Sequence, residues 1–80
     1  MSSELQNIIN NAVYSVALYW GKTREDLPFE ALVLDPAVSF KDTKIILKFT
    51  RPKTGSKFIF ELDRETHEVI RERNNAIIHL

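Results

Sequence analysis

Hydrophobic residues recur every three to four positions in the first quarter of the chain and every second position beyond its midpoint. In "SELQNIINNAVYSVALYW", residues 3–20, each step of a helix turns about 100°. Leu5, Ile8, Ile9, Ala12, Val13, Val16, Tyr19 and Trp20 then fall in one arc of roughly 140°. Glu4, Asn7, Asn10, Asn11 and Ser15 fall outside it. That spacing predicts an amphipathic helix with a wide apolar face. Ser2 or Ser3 suits the N-cap, and Glu4 suits the positive end of the helix dipole. Gly21 stands where a helix commonly stops, with Lys22 beside the negative end. Tyr14 and Leu18, four apart, are neighbours on the side away from the arc. They read either as tolerated surface residues or as a contact with a second element or subunit.

From Asp42 the period becomes two. In "KIILKFT", Ile45, Leu47 and Phe49 share one face, and Ile46, Lys48 and Thr50 share the other. In "KFIFEL", Phe58, Phe60 and Leu62 oppose Ile59 and Glu61. Between them "RPKTGS" offers Pro52 for the fixed φ of a turn and Gly55 for the positive φ that closes a longer hairpin loop. The next turn, "DRETHE", has Asp63 to accept from backbone donors ahead of it, Thr66 to do the same, and His67 at the left-handed position. "EVIRER" is expected to be a third strand, with Val69 and Arg71 on one face and Ile70 on the other. "NN" at 74–75 reads as a further turn, and residues 76–80 as a short last strand or a tail.

Residues 21–41 carry no clear period and are expected to form an irregular connection. Thr23 is placed to cap a short helical turn, with Asp26 three residues on, and Pro28 would fit such a turn only at its start. "ALVL" fits a short strand or the end of that turn, and Pro36 ends either. The apolar set Ile45, Leu47, Phe49, Phe58, Phe60 and Leu62 needs a cover, which the helix arc supplies. The expected architecture is α+β: helix 3–20 on a three- to four-stranded antiparallel meander over 42–73, in a single domain.

The segment "ELDRETHEVIRE" resembles a hairpin pattern, an acidic turn followed by T-G-E-V-[IL], present in flagellar FlaG-like proteins and PepSY-type domains. Asp63, Thr66, Glu68, Val69 and Ile70 match that pattern, and His67 stands in place of its glycine. The resemblance spans about twelve residues. It implies a turn geometry and no activity.

Length and charge then narrow the function classes. Eighty residues bury a modest fraction of their surface, and a small domain without cysteine often gains burial by self-association. Eleven basic and eleven acidic residues cancel, so net charge makes no case for nucleic acid or membrane. The distribution is less even. Lys41, Lys44, Lys48, Arg51, Lys53 and Lys57 face only Asp42 between residues 41 and 57, while both flanks are mildly acidic. The start, "MSSELQNIINN", lacks the basic region of a secretory signal. The apolar run "AVYSVALYW" is far short of the roughly 20 residues of a membrane helix. The expected location is cytoplasmic, without membrane contact.

Catalytic chemistry finds little footing. Nucleophilic catalysis needs a thiol or hydroxyl beside a base, and the histidines are His67, in a turn, and His79. Ser39, Thr54 and Ser56 have no histidine nearby in sequence. Glu61, Asp63, Glu65 and Glu68 surround a turn tip, where carboxylates meet solvent rather than a cleft. A metal site from Asp63, Glu65, His67 and Glu68 lacks any spacing signature, and Gly21 and Gly55 are too isolated for a phosphate loop. No enzyme activity, metal, cofactor or small-molecule substrate is expected.

The leading expectation is a small binding or regulatory module that acts through protein contacts and self-associates. Tyr14, Leu18, Ile46, Ile59 and Ile70 are its candidate interface residues. The alternative is a weak nucleic-acid binder using Lys48, Arg51, Lys53 and Lys57 around the first hairpin.

Overall fold

The computed structural model describes residues 3–23 and 28–75, with side chains for 4–22 and 28–74. One helix, α1 (Ser3–Thr23), is followed by a short 3-10 turn (Phe29–Ala31) and five strands. These are β1 (Val33–Leu34), β2 (Ser39–Phe40), β3 (Lys44–Arg51), β4 (Ser56–Asp63) and β5 (Val69–Asn75). All pairings are antiparallel and the order is β1-β3-β4-β5, with β2 also bonded to β3. The sheet therefore holds five strands where three or four were expected. The two extra ones come from the connection expected to be irregular.

Their physical origin is local. Pro28 is extended, and the backbone N–H of Ala31 donates to its carbonyl at 3.0 Å, which makes the 3-10 turn. Val33 and Leu34 then pair with Thr50 and Phe49. Asp35 accepts from the backbone N–H of Ala37 through Oδ1 at 2.9 Å, so Asp35–Pro36 bends the chain between β1 and β2. Ser39 and Phe40 resume pairing with Ile46 and Ile45. One long strand thus carries two short partners at its two ends.

The helix runs three residues past the expected stop, through Gly21 to Thr23. Gly21 is exposed, and a Cβ there would meet no atom within 4 Å. Glycine in a helix interior costs stability without a compensating contact at this position. Gly21→Ala is therefore expected to raise the unfolding free energy by about 0.5–1 kcal/mol. Gly55→Ala is expected to lower it by about 1–2 kcal/mol, because Gly55 has φ 76° in the β3–β4 turn. Urea denaturation of both variants checks the pair of signs.

The core lies between α1 and one sheet face. Ala12, Val16 and Trp20 pack on Ile45, Leu47, Phe49, Phe58, Phe60 and Leu62, all buried. Trp20 is the hub, edge-on to Phe58 at 5.1 Å and within 6.2 Å of Phe29 and Phe60 by ring centres. Phe29 closes the cluster on Phe49 at 5.2 Å. Leu5, at the start of the helical arc, is about half exposed.

Both hairpin turns form as their residues dictate. The Arg51 carbonyl accepts from Thr54 N–H at 3.2 Å and Gly55 N–H at 2.7 Å, with Pro52 inside the turn. Asp63 Oδ1 accepts from Glu65 N–H at 2.8 Å and Thr66 N–H at 2.9 Å, and Thr66 Oγ1 accepts from Glu68 N–H at 3.2 Å. His67 takes φ 61°.

Strand β5 departs from expectation. Leu62 pairs with Val69, but Glu61 pairs with Arg71, so Ile70 is an extra residue, a β-bulge. Val69 therefore shares the covered face with Leu62, and Arg71 shares the opposite face with Glu61. The expectation that Val69 and Arg71 share a face is corrected by this one residue. The strand also continues through Asn74 and Asn75, where a turn was expected. Residues 76–80, expected as strand or tail, lie outside the described residues.

Candidate interaction surface

Alternation sends every second residue of β3 and β4 away from the core, onto a face that no described element covers. The pairings fix its rows. Lys48, Ile59 and Arg73 lie side by side across β3, β4 and β5. The adjacent row holds Ile46, Glu61 and Arg71, with Ser39 beyond Ile46. Lys44 and Asp63 pair at one end of the face, and Thr50 and Lys57 at the other, where Lys57 Nζ donates to Thr50 Oγ1 at 3.2 Å. Five cations thus meet two carboxylates on this outer face, a net of +3. Because the whole chain is neutral, the remainder carries the balancing negative charge.

Glu61 is the surface's organising residue. Its Oε1 accepts from Lys44 Nζ at 2.9 Å and its Oε2 from Arg73 Nη2 at 3.1 Å. The residue is only 4% exposed, whereas the two side chains bonded to it are themselves partly exposed. Hydrogen bonds from Lys44 and then Arg73 hold the carboxyl below its ordinary value, against a smaller opposing effect of desolvation. Asp63 is also held down, by the backbone N–H groups of Thr66 and Glu65. In both cases the carboxylate form is the one bonded in the folded state. Their contribution is complete above the ordinary values of 4.5 and 3.8 and is lost as pH falls through the lower folded values. The urea midpoint is accordingly expected to fall on acidification below these values. Asp63→Asn, which keeps one acceptor oxygen, is expected to flatten that fall.

Around Glu61 lies a shallow open hollow lined by Lys41, Lys44, Ile46, Arg71 and Arg73 among others. Among the described residues, the side chains of Lys48 and Arg71 make no hydrogen bond or ion pair and remain available to a partner.

The candidate residues distribute unevenly. Ile46 and Ile59 are half-buried diagonal neighbours at the centre of the outer face. Ile70 is 60% exposed in the bulge and in register with neither. Tyr14 and Leu18 are exposed on α1, and Leu18 borders a groove with Tyr19, Lys22, His67 and Val69. Of the basic candidates, Lys48 and Lys57 belong to the outer face. Arg51 has the alternation of the covered face, and Lys53 sits in the turn. The sheet instead unites Lys48 and Lys57 with Lys44, Arg71 and Arg73, which sequence reasoning missed. Lys44 could have been found, since it shares the period of Ile46 and Lys48. Arg71 and Arg73 could not, because the bulge changes their side.

The acidic turn does not assemble into a chelating set. Glu61 faces Lys44 and Arg73, Asp63 is turned to the backbone of its own turn, and no group of three or more His, Asp or Glu suited to a metal occurs among the described residues. No helix among them is long and apolar enough to cross a membrane. Searches against protein-family models, curated proteins and solved structures found no match to this chain.

Proposed function

We propose that the chain is a non-catalytic binding module that acts through protein–protein contacts, with the outer sheet face as its contact surface. One observation carries this reading. The helix covers one face of the sheet, while the other presents Ile46 and Ile59 near its centre, and Val33 at its edge, among a surplus of cations. Apolar centres with polar rims are the anatomy of protein interfaces. The hollows beside α1 and around Glu61 are open to solvent. Tyr14 and Leu18 support self-association as a second contact, away from the sheet face.

The test is direct. Sedimentation velocity across concentration is expected to show a dimer that Leu18→Ser weakens. Affinity capture from the native host is expected to retain a partner that Ile59→Ser releases. A chain that stays monomeric and captures nothing would remove the proposal.

A second reading has its own support. The five cations of the outer face are the kind of cluster that neutralises phosphates. As a nucleic-acid binder the chain would bind oligonucleotides at low salt and lose affinity steeply as salt rises. Among the described residues the outer face carries no aromatic side chain, which weighs against base stacking there.

A further inference from the structure

We infer that the outer sheet face receives an acidic amphipathic protein segment, its apolar side chains over Ile46 and Ile59 and its carboxylates against Lys48, Arg71 and Arg73. This inference rests on the protein-contact reading and names the chemistry of the partner.

The dimensions come from the register. Lys48 and Arg73 flank Ile59 from the two neighbouring strands, so they stand about 10 Å apart across the sheet. Ile46 lies one strand and one row away from Ile59, at about 7–8 Å. The patch therefore matches the width of one helix or one extended segment rather than a broad globular surface.

Charge then selects the occupant. Both carboxylates of the face are already engaged, Glu61 by Lys44 and Arg73 and Asp63 by its own turn. An incoming carboxylate meets Lys48 and Arg71 without displacing an existing ion pair. Glu61 helps in a second way, since it fixes the Arg73 guanidinium and lowers the entropy lost on binding. A second copy docked face to face would set +3 against +3 and is disfavoured. A nucleic-acid strand would use the cations and gain nothing specific from two isoleucines at the centre. An apolar segment bordered by Asp and Glu uses both features.

The experiment is an amide-resolved NMR titration of the full chain with three synthetic probes. One is an acidic amphipathic peptide of alternating Leu and Glu. The second is the same peptide with Leu replaced by Ser, and the third is an oligothymidylate. The first is expected to shift residues 44–48, 57–61 and 71–73, and to bind at least several-fold tighter than the other two. Lys48→Glu and Arg71→Glu, whose side chains are exposed, are each expected to weaken it roughly tenfold. Ile59→Ser is expected to erase its advantage over the Ser-containing peptide. The inference is overturned if the oligothymidylate binds as tightly, if the Leu and Ser peptides bind alike, or if the shifts map to α1. A host partner whose capture is insensitive to Lys48→Glu and Arg71→Glu would also overturn it while leaving the protein-contact reading standing.

Discussion

Replacing Trp20 with alanine is expected to lower the unfolding free energy by about 3–5 kcal/mol. Trp20 is 1% exposed and joins three elements, because its ring, carried on α1, meets Phe58 and Phe60 of β4 and Phe29 of the 3-10 turn. Truncation leaves a cavity that neither the helix nor the sheet can collapse into without breaking other contacts of the cluster. Small domains have unfolding free energies of about 5–15 kcal/mol, and one of this size belongs near the lower end. The variant should therefore be partly unfolded at room temperature, or lose most of its urea midpoint. Leu5→Ala, at the half-exposed start of the same apolar arc, is expected to change stability by no more than about 0.5–1 kcal/mol. Urea denaturation of the two variants, followed by circular dichroism, checks the contrast. Equal losses would mean that the helix is held along its whole length rather than through its last turns.

Much of this architecture follows from periodicity that any reader of the chain can see. Ile45, Leu47, Phe49, Phe58, Phe60 and Leu62 alternate without interruption, and the helical arc that covers them is equally regular. The turns were legible because their chemistry is short-range. Asp63 meets backbone donors two and three residues ahead, and His67 tolerates the left-handed conformation. What stayed hidden is what depends on pairing. The strands Val33–Leu34 and Ser39–Phe40 are two residues each, too short for an alternation to register, and they exist because β3 offers them backbone partners. The bulge at Ile70 leaves no mark in composition, yet it decides that Arg71 and Arg73 join Lys44 and Lys48. The candidate surface was thus half legible: its isoleucines and Lys48 from alternation, its two arginines only from register.

That dependence makes a one-residue deletion the sharpest probe of the sheet. Deleting Ile59 is expected to abolish cooperative folding, whereas deleting Ile70 is expected to leave it intact. Strand β4 is bonded on both sides, to β3 and to β5. Removing Ile59 makes Phe58 and Phe60 adjacent, so one of them must turn to the outer face, and Leu62 goes with Phe60. Each exposed large side chain forfeits about 1.5–3 kcal/mol, and polar neighbours such as Glu61 would be driven inward. A compensating bulge would have to break two ladders at once. In β5 the situation is reversed. Without Ile70, Val69 stays opposite Leu62 and Arg71 stays opposite Glu61, and the strand alternates regularly with no residue left over. Thermal melts by circular dichroism should show a sigmoidal transition for the Ile70 deletion and none for the Ile59 deletion. Loss of the transition in both would mean that the bulge's local twist is itself required, and that the rows Lys48–Ile59–Arg73 and Ile46–Glu61–Arg71 depend on it.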